Sequence, residues 1–187
     1  MKIYLSIASL AVAAAFAAPA CAQQLAPAGS EIAFTSKQMG VPVDGRFKKF
    51  DAQVAFDPKK PEAAKIAFTI DLASVSLGVA ETEAEIAKPD WFDTKKFPQA
   101  SFQSGAVKAT GAGKYEVAGK LTIKGASQNV VVPVALAQTG AATTATGAFT
   151  IKRLDFRIGD GDWKDTSMVA NDVQVRFKLA LTGVPAL

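Results

Sequence analysis

Histidine is absent from this 187-residue chain, and cysteine occurs once, at position 21. The two shortages exclude a Ser/His/Asp or Cys/His catalytic site and a zinc site of the usual Cys/His kind. A single cysteine also cannot form an intramolecular disulfide. We therefore expect no catalytic residue, no metal site and no cofactor.

Clustered positive charge is also missing. The chain has 21 Lys and Arg residues against 17 Asp and Glu residues, a formal net charge of +4, and the basic residues are scattered among the acids. This pattern argues against nucleic acid as a partner. A hydrophobic share of 49% and a charged share of 20% are typical of one soluble globular domain.

The first 22 residues have the pattern of a signal peptide. Lys2 is followed by an uncharged run over residues 3–18, and Ala20 and Ala22 place small residues at a cleavage site before Gln23. We expect cleavage after Ala22, which leaves residues 23–187 as a single domain.

Two other interpretations of this leader stay open. A membrane anchor has a similar uncharged length, but the run is rich in alanine, ends at Pro19 and lacks a basic flank. A lipoprotein would carry its lipid on Cys21, although Ala18 and Pro19 stand where such a signal usually has Leu and a small residue.

From residue 31 onward, apolar and polar residues alternate with period two, which predicts β-strands. The apolar row changes parity at Lys48–Lys49, where we expect a β-bulge. Residues 81–88 favour a short helix that ends before Pro89. The predicted strands cover residues 31–37, 43–56, 66–72, 100–108, 114–124, 127–137, 143–152 and 171–182.

Eight antiparallel strands joined by short turns suit either a sandwich or an up-and-down barrel. The barrel is favoured, because the bulge supplies curvature and closure leaves no free sheet edge. The predicted fold is all-β: an eight-stranded antiparallel lipocalin-like barrel with one short helical insertion. A barrel of this size is either filled by side chains or holds one small ligand.

Closure would point one apolar row of each strand into a shared interior. Small residues in these rows, Gly45, Ala52, Gly119 and Gly147, suggest unfilled volume. In a hollow barrel, a Gly119→Leu variant is then expected to keep its stability and lose ligand binding. The candidate ligand-binding residues of the lumen are Phe34, Phe47, Phe56, Phe68, Ile70, Phe102, Val117, Gly119, Leu121, Phe149, Val175 and Phe177.

An acidic stretch at Asp160, Asp162 and Asp165 superficially resembles a calcium loop. Its spacing does not match the ligand positions of such a loop, and Asn171 stands where the twelfth-position carboxylate would fall. A solvated loop is the better interpretation.

Several stretches resemble the YceI-like family of secreted, lipocalin-like polyisoprenoid-binding proteins, over about residues 30–182. The most specific are Asp90–Asp93, Phe97–Ser104 and the hairpin Gly119–Gly125, and Gly45–Asp51 and Arg153–Phe156 are also similar. Two positions depart from the family pattern. Arg157 stands where Gly is usual, and residues 160–169 form a different link into the last strand.

The resemblance implies a periplasmic barrel whose apolar lumen carries or sequesters a long isoprenoid, such as a polyprenyl or quinone-like chain, or a fatty chain. A polar head group would lie at the barrel mouth. Basic residues that are candidates for contacting it are Lys88, Lys95, Lys96, Arg153, Arg157 and Lys164.

A second hypothesis is a filled barrel that acts as a non-catalytic stress-related or electron-transfer accessory protein. A continuous tunnel of several hundred Å³, as in typical ligand sites, would favour the carrier, and isolated voids would favour the accessory. A membrane donor or acceptor protein is left open as a partner, and so is the oligomeric state.

The leader interpretation leads to a first prediction. The secreted protein is expected to begin at Gln23, because Ala20 and Ala22 satisfy the small-residue rule of the cleavage site. Intact-mass analysis of secreted protein measures this directly. A mass that retains Cys21 with two or three acyl chains attached would contradict it and establish the lipoprotein.

Overall fold

A computed structural model describes residues 23–187, so the leader prediction lies outside the described residues. Residues 23–187 form ten strand segments and one α-helix. These are β1 (Gln23–Gln38), β2 (Val41–Phe47), β3 (Phe50–Ala55), β4 (Lys65–Asp71), β5 (Val75–Ser76), α1 (Ala80–Ile86), β6 (Gln99–Gly111), β7 (Lys114–Ile123), β8 (Ala126–Thr139), β9 (Ala142–Lys152) and β10 (Asp172–Thr182).

The strand segments form one closed antiparallel sheet. β2 and β3 both pair with β1, at different positions along it, and together they form one bent strand of the barrel. In the same way, β5 pairs with β2 and β4 pairs with β3, so β4 and β5 form the next bent strand. From β4 the order runs through β6, β7, β8 and β9 to β10, which pairs with β1. The predicted eight-stranded antiparallel barrel with one short helix is confirmed, and its helix, α1, lies at the predicted place.

The first strand starts earlier than predicted. β1 begins at Gln23, not at Glu31, although Pro27 and Gly29 interrupt the alternation of apolar residues. Its first residues pair with β10 and β3, and the register shifts between Ala26 and Glu31. Pairing with two neighbours keeps this segment extended where its own sequence pattern does not predict a strand.

The change of parity at Lys48–Lys49 marks the bend between β2 and β3. The backbone N–H of Lys48 donates to the Ser74 carbonyl at 3.1 Å, and that of Lys49 donates to the Ser74 hydroxyl at 2.9 Å. Both backbone N–H groups of the two residues between β2 and β3 are therefore hydrogen-bonded. The bend has the function expected of a bulge, since it curves the sheet into a barrel.

Three inward glycines are covered by phenylalanine rings from a neighbouring strand. A Cβ atom at each glycine would lie closer than 3.0 Å to ring atoms of its phenylalanine. The pairs are Phe34 over Gly45, Phe102 over Gly119 and Phe177 over Gly147. Covering a strand glycine with an aromatic ring is a known way to stabilise a sheet.

These contacts correct the expectation about Gly119. The volume that its missing side chain leaves is occupied by the Phe102 ring, and a Cβ there would also meet the Gln103 carbonyl oxygen. Leucine at this position would therefore strain the sheet whether or not the lumen is hollow. The expectation that a hollow barrel tolerates Gly119→Leu is wrong.

Arg153 is almost fully buried, with 1% of its surface exposed, and it organises one end of the barrel. Its guanidinium donates five hydrogen bonds of 2.6–3.1 Å, all to backbone carbonyls of the loop between β9 and β10. Five N–H groups are all that arginine has. The acceptors are Ile158, Gly159, Trp163, Val169 and Ala170.

A second buried cation supports the same loop. Lys124 Nζ donates to the Arg157 carbonyl at 2.6 Å and lies 3.8 Å from Asp160 Oδ2. Arg157 has a φ of 58°, in the left-handed region. This conformation favours glycine, which is the residue that the resembled family usually has there.

The covered glycines generate the second prediction. Gly119→Ala is expected to lower the free energy of unfolding by about 1–3 kcal/mol, because the new methyl group overlaps Phe102 and the Gln103 carbonyl. Gly105→Ala on β6 is the matched control, since its Cβ would have only one neighbour, at 3.9 Å. Urea unfolding of both variants measures the difference. Equal stability of the two variants would contradict the packing described.

The third prediction concerns Arg153. Arg153→Met is expected to lower the free energy of unfolding by about 3 kcal/mol or more, because five backbone carbonyls, three of them in fully buried hydrogen bonds, lose a charged donor at once. Arg176→Met is the control. Arg176 is half exposed and pairs with Asp44 at 3.4 Å, so its loss should cost less than about 1 kcal/mol. Similar denaturation midpoints for the two variants would show that the Arg153 bonds do not stabilise the fold.

Candidate functional site

The barrel encloses an apolar lumen made of two chambers. The strand chamber has a volume of about 150 Å³. Its wall includes Phe56, Tyr115 and Val184, and every side chain of this wall is apolar or aromatic. The loop chamber, of about 250 Å³, lies toward α1 and the loop between β9 and β10. An apolar cavity as large as the strand chamber can stay free of water and bind an apolar ligand.

The two chambers meet at a shared ring of side chains, which we call the waist. Its members face both chambers and come from five different strands. They are Ile32, Ile70, Leu121, Phe149 and Val175. Because the same residues line both volumes, the two chambers adjoin at the waist.

Eleven of the twelve residues predicted to line the lumen do so. Phe34 and Phe47 line the loop chamber. The strand chamber has Phe56, Phe68, Phe102, Val117 and Phe177, while Ile70, Leu121, Phe149 and Val175 belong to the waist. Gly119 lines neither chamber, because the Phe102 ring lies over it.

The far end of the strand chamber lies beside Gln23 and the C-terminal residues. Gln138 Nε2 donates to the Val184 carbonyl at 3.1 Å, and the Leu187 N–H donates to Gln138 Oε1 at 3.2 Å. Gln23 Oε1 accepts the Phe56 N–H at 2.9 Å, and the Phe56 ring meets Tyr115 edge-on. These contacts hold Gln23 and the C-terminal residues against the lumen wall.

The wall of the loop chamber includes residues that the sequence did not predict. They lie in the helical insertion and in loops, where period two does not apply: Leu77, Ile86, Trp91, Phe92, Ile158 and Trp163. The available signal was the occurrence of large aromatic residues in loops, which soluble proteins usually keep polar.

Helix α1 is held in place by a carboxylate. Glu83 accepts hydrogen bonds from the backbone N–H groups of Leu77 at 2.8 Å and Gly78 at 3.1 Å, and from the Ser76 hydroxyl. The Leu77 bond is the main reason why the pKa of Glu83 is below its ordinary value. The carboxylate thus joins α1 to the end of β5 and keeps Ile86 against the chamber.

The loop that follows α1 and the loop that follows β9 contact each other across this end of the barrel. The Asp90 carbonyl accepts the N–H groups of Gly159 at 2.8 Å and Asp160 at 2.9 Å. The rings of Trp91 and Trp163 lie 5.3 Å apart. Together with Arg153, these contacts make the two loops one connected cover over the loop chamber.

The basic residues predicted for the mouth differ in their surroundings. Arg153 is buried and its donors are used by backbone carbonyls, which corrects its interpretation as a head-group contact at the mouth. Lys88 pairs with Glu85, and Lys164 lies 3.8 Å from Asp160. Lys96 Nζ lies 5.3 Å from the centre of the Phe97 ring. Arg157 and Lys164 line a separate polar pocket with Asp160.

The acidic stretch does not gather into a metal site in the described part of the chain, where no group of three potential ligands occurs. Asp165 instead accepts hydrogen bonds from the Ser167 hydroxyl at 2.7 Å and the Ser167 N–H at 2.8 Å. These bonds hold the pKa of Asp165 below its usual value. Its carboxylate stabilises the loop turn.

Within residues 23–187, no helix has the length and apolarity needed to cross a bilayer.

Comparison with known proteins identifies a family. The model of the YceI-like domain matches residues 23–181. A UPF0312 protein of Pseudomonas putida (strain W619) is 42% identical over 88 residues, which are 47% of this chain and 46% of that protein. A UPF0312 protein of Ectopseudomonas mendocina is 39% identical over the same length. These alignments span about half the length of the curated relatives.

Solved structures share the fold. The crystal structure of BcnA from Burkholderia cenocepacia is 49% identical and has a TM-score of 0.81, covering 83% of this chain and 98% of that one. A polyisoprenoid binding domain from Saccharophagus degradans, implicated in plant cell wall breakdown, is 17% identical with a TM-score of 0.70, covering 86% and 98%. With a family match over nearly all the described residues, this chain belongs to the YceI-like family.

Proposed function

We propose that this protein is a periplasmic, non-catalytic binding protein that carries or sequesters one long isoprenoid or other lipid chain in its lumen. The observation that carries the proposal is the pair of adjoining, almost wholly apolar chambers that share the waist. The structural likeness to a polyisoprenoid binding domain supports the same ligand class. The predicted signal peptide supports the location.

The energetics favour an apolar chain as the ligand. Burial of about 20 carbon atoms at about 0.8 kcal/mol each gives a gross gain on the order of 15 kcal/mol. Chain ordering and the cost of association remove a large part of that gain. The remainder still supports tight binding, and it requires no reactive group in the wall.

The fourth prediction is that gently purified protein contains lipid. Native mass spectrometry is expected to show one bound chain per barrel, and organic extraction is expected to release a long-chain lipid. Protein purified gently from cells is the sample expected to contain lipid. Protein refolded from denaturant is the lipid-free sample for comparison. Absence of any lipid in the gently purified sample would count against the carrier.

A variant that fills the lumen sharpens this test. Ala145 is buried on β9 in the wall of the strand chamber, so Ala145→Leu adds volume where a ligand chain would lie. Binding of a lipid should fall about tenfold or more, while the free energy of unfolding stays within about 1 kcal/mol, because an open cavity accepts the added methyl groups. Ala148→Leu, on the exposed face of the same strand, is the control.

A loss of stability in Ala145→Leu would instead indicate the filled barrel of the second hypothesis, the accessory protein. In a barrel filled by its own side chains, Ala145→Leu would overpack the interior and lower the free energy of unfolding by about 1–3 kcal/mol. That loss, combined with no extractable lipid, would overturn the carrier function.

A further inference from the structure

Three exposed apolar residues lie beside one another at the edge of the loop chamber. Met39 and Val41, at the tip of the hairpin formed by β1 and β2, are 66% and 63% exposed, and Met168, in the loop between β9 and β10, is 44% exposed. The Met39 N–H donates to the Met168 carbonyl at 2.8 Å. We call these three residues the rim patch.

The rim patch is continuous with the wall of the loop chamber. Val41 and Val43 share one face of β2, since side chains of a strand alternate, and Val43 lines the chamber. Val169, which follows Met168, lines the chamber too and pairs with Gln38. The apolar surface inside the barrel thus extends onto the outside of the molecule at the hairpin tip.

The backbone of Met39 adopts a conformation that methionine rarely has. Met39 and Gly40 form the two-residue turn of the hairpin, and both have a positive φ, of 48° and 80°. Turns of this kind favour Asn followed by Gly. Met39 thus combines a left-handed backbone with a long apolar side chain in water, and neither feature stabilises the fold. A strained residue of this kind points to a function at its position.

The area and charge of the rim patch fit a lipid surface and not a protein partner. The patch exposes only a few hundred Å², whereas a stable protein interface buries about 800 Å² on each partner. A bilayer sets no such minimum, because apolar side chains enter its acyl region individually. Residues 37–42 and 166–170 carry one charge, that of Lys37. A lysine next to apolar side chains complements anionic head groups.

We propose that the rim patch docks this protein on the surface of a lipid bilayer, with Met39, Val41 and Met168 among the acyl chains and Lys37 at the level of the head groups. In this orientation the loop chamber faces the membrane, so an apolar ligand moves between the two along a continuous apolar surface. Docking goes beyond binding in the lumen, and it rests on the proposed carrier function only for the nature of the ligand that is exchanged.

Flotation of the secreted protein with vesicles of phosphatidylethanolamine and phosphatidylglycerol tests this surface. The protein is expected to float with the vesicles. Val41→Asn should lower its partition into them about tenfold, because burial of an exposed valine is lost. Val131→Asn is the matched control, since Val131 is 58% exposed on β8 and lines neither chamber. This variant should change the partition less than about twofold.

Two further variants separate docking from folding and from charge. Met39→Asn places the favoured residue in the turn, so its urea midpoint should equal or exceed that of the parent protein, while its vesicle partition falls about fivefold or more. Lys37→Gln should weaken binding to the anionic vesicles about fivefold and leave binding to pure phosphatidylcholine vesicles unchanged.

Three results would overturn the docking surface: no flotation of the parent protein, equal partition of Val41→Asn and Val131→Asn, or a dimer in vesicle-free sedimentation that Val41→Asn dissociates. The last result would assign the rim patch to a second copy of the chain. Extractable lipid in a protein that does not float would overturn docking and leave the carrier function standing. Flotation that Val41→Asn abolishes, in a protein without extractable lipid, would support docking and overturn the carrier function.

Discussion

Antiparallel pairing of β1 with β10 closes the sheet, and the lumen exists only because of that closure. The seam is not continuous, since the register shifts between Ala26 and Glu31. Ser30 bridges the shift: its hydroxyl accepts the Ala180 N–H at 2.9 Å and donates to the Ala26 carbonyl at 2.7 Å. An open sheet would expose two strand edges and its apolar face to water, whereas closure turns that face into a shared interior.

Once the sheet is closed, different residues lie at the two ends of the barrel. The strand chamber ends beside Gln23 and the C-terminal residues, where Gln138 holds Val184 and Leu187. The loop chamber ends under two loops, and several backbone carbonyls of one of them, the loop between β9 and β10, would otherwise be left without donors. Arg153 and Lys124 supply those donors, which places two buried cations at this end of the barrel. A charge buried in this way is tolerable because its hydrogen bonds are complete.

The sequence predicted those parts of the molecule in which local pattern and tertiary structure agree. Alternation identified the strands and their inward rows, since the side-chain period of a strand is two in any sheet. It could not show that the Phe102 ring covers Gly119, because that depends on which strand lies beside which. Arg153 was predicted to contact a head group at the mouth, since arginine is rarely buried and its five acceptors are scattered over residues 158–170. The walls contributed by Trp91 and Trp163 were missed because loops have no period to interpret.

The strands and the loops around the lumen contribute differently to affinity and to selectivity. Apolar burial is non-directional and proportional to area, so the waist and the strand chamber hold any chain that fits them. Discrimination needs polar groups in defined positions, since an unpaired buried donor penalises a ligand that cannot satisfy it. In this barrel such groups lie in the loop chamber, on segments whose conformation depends on Arg153, Glu83 and the Asp90 carbonyl. Under the carrier function proposed above, sequence changes in these loops would change the preferred head group, while the strands would keep the same interior for the tail.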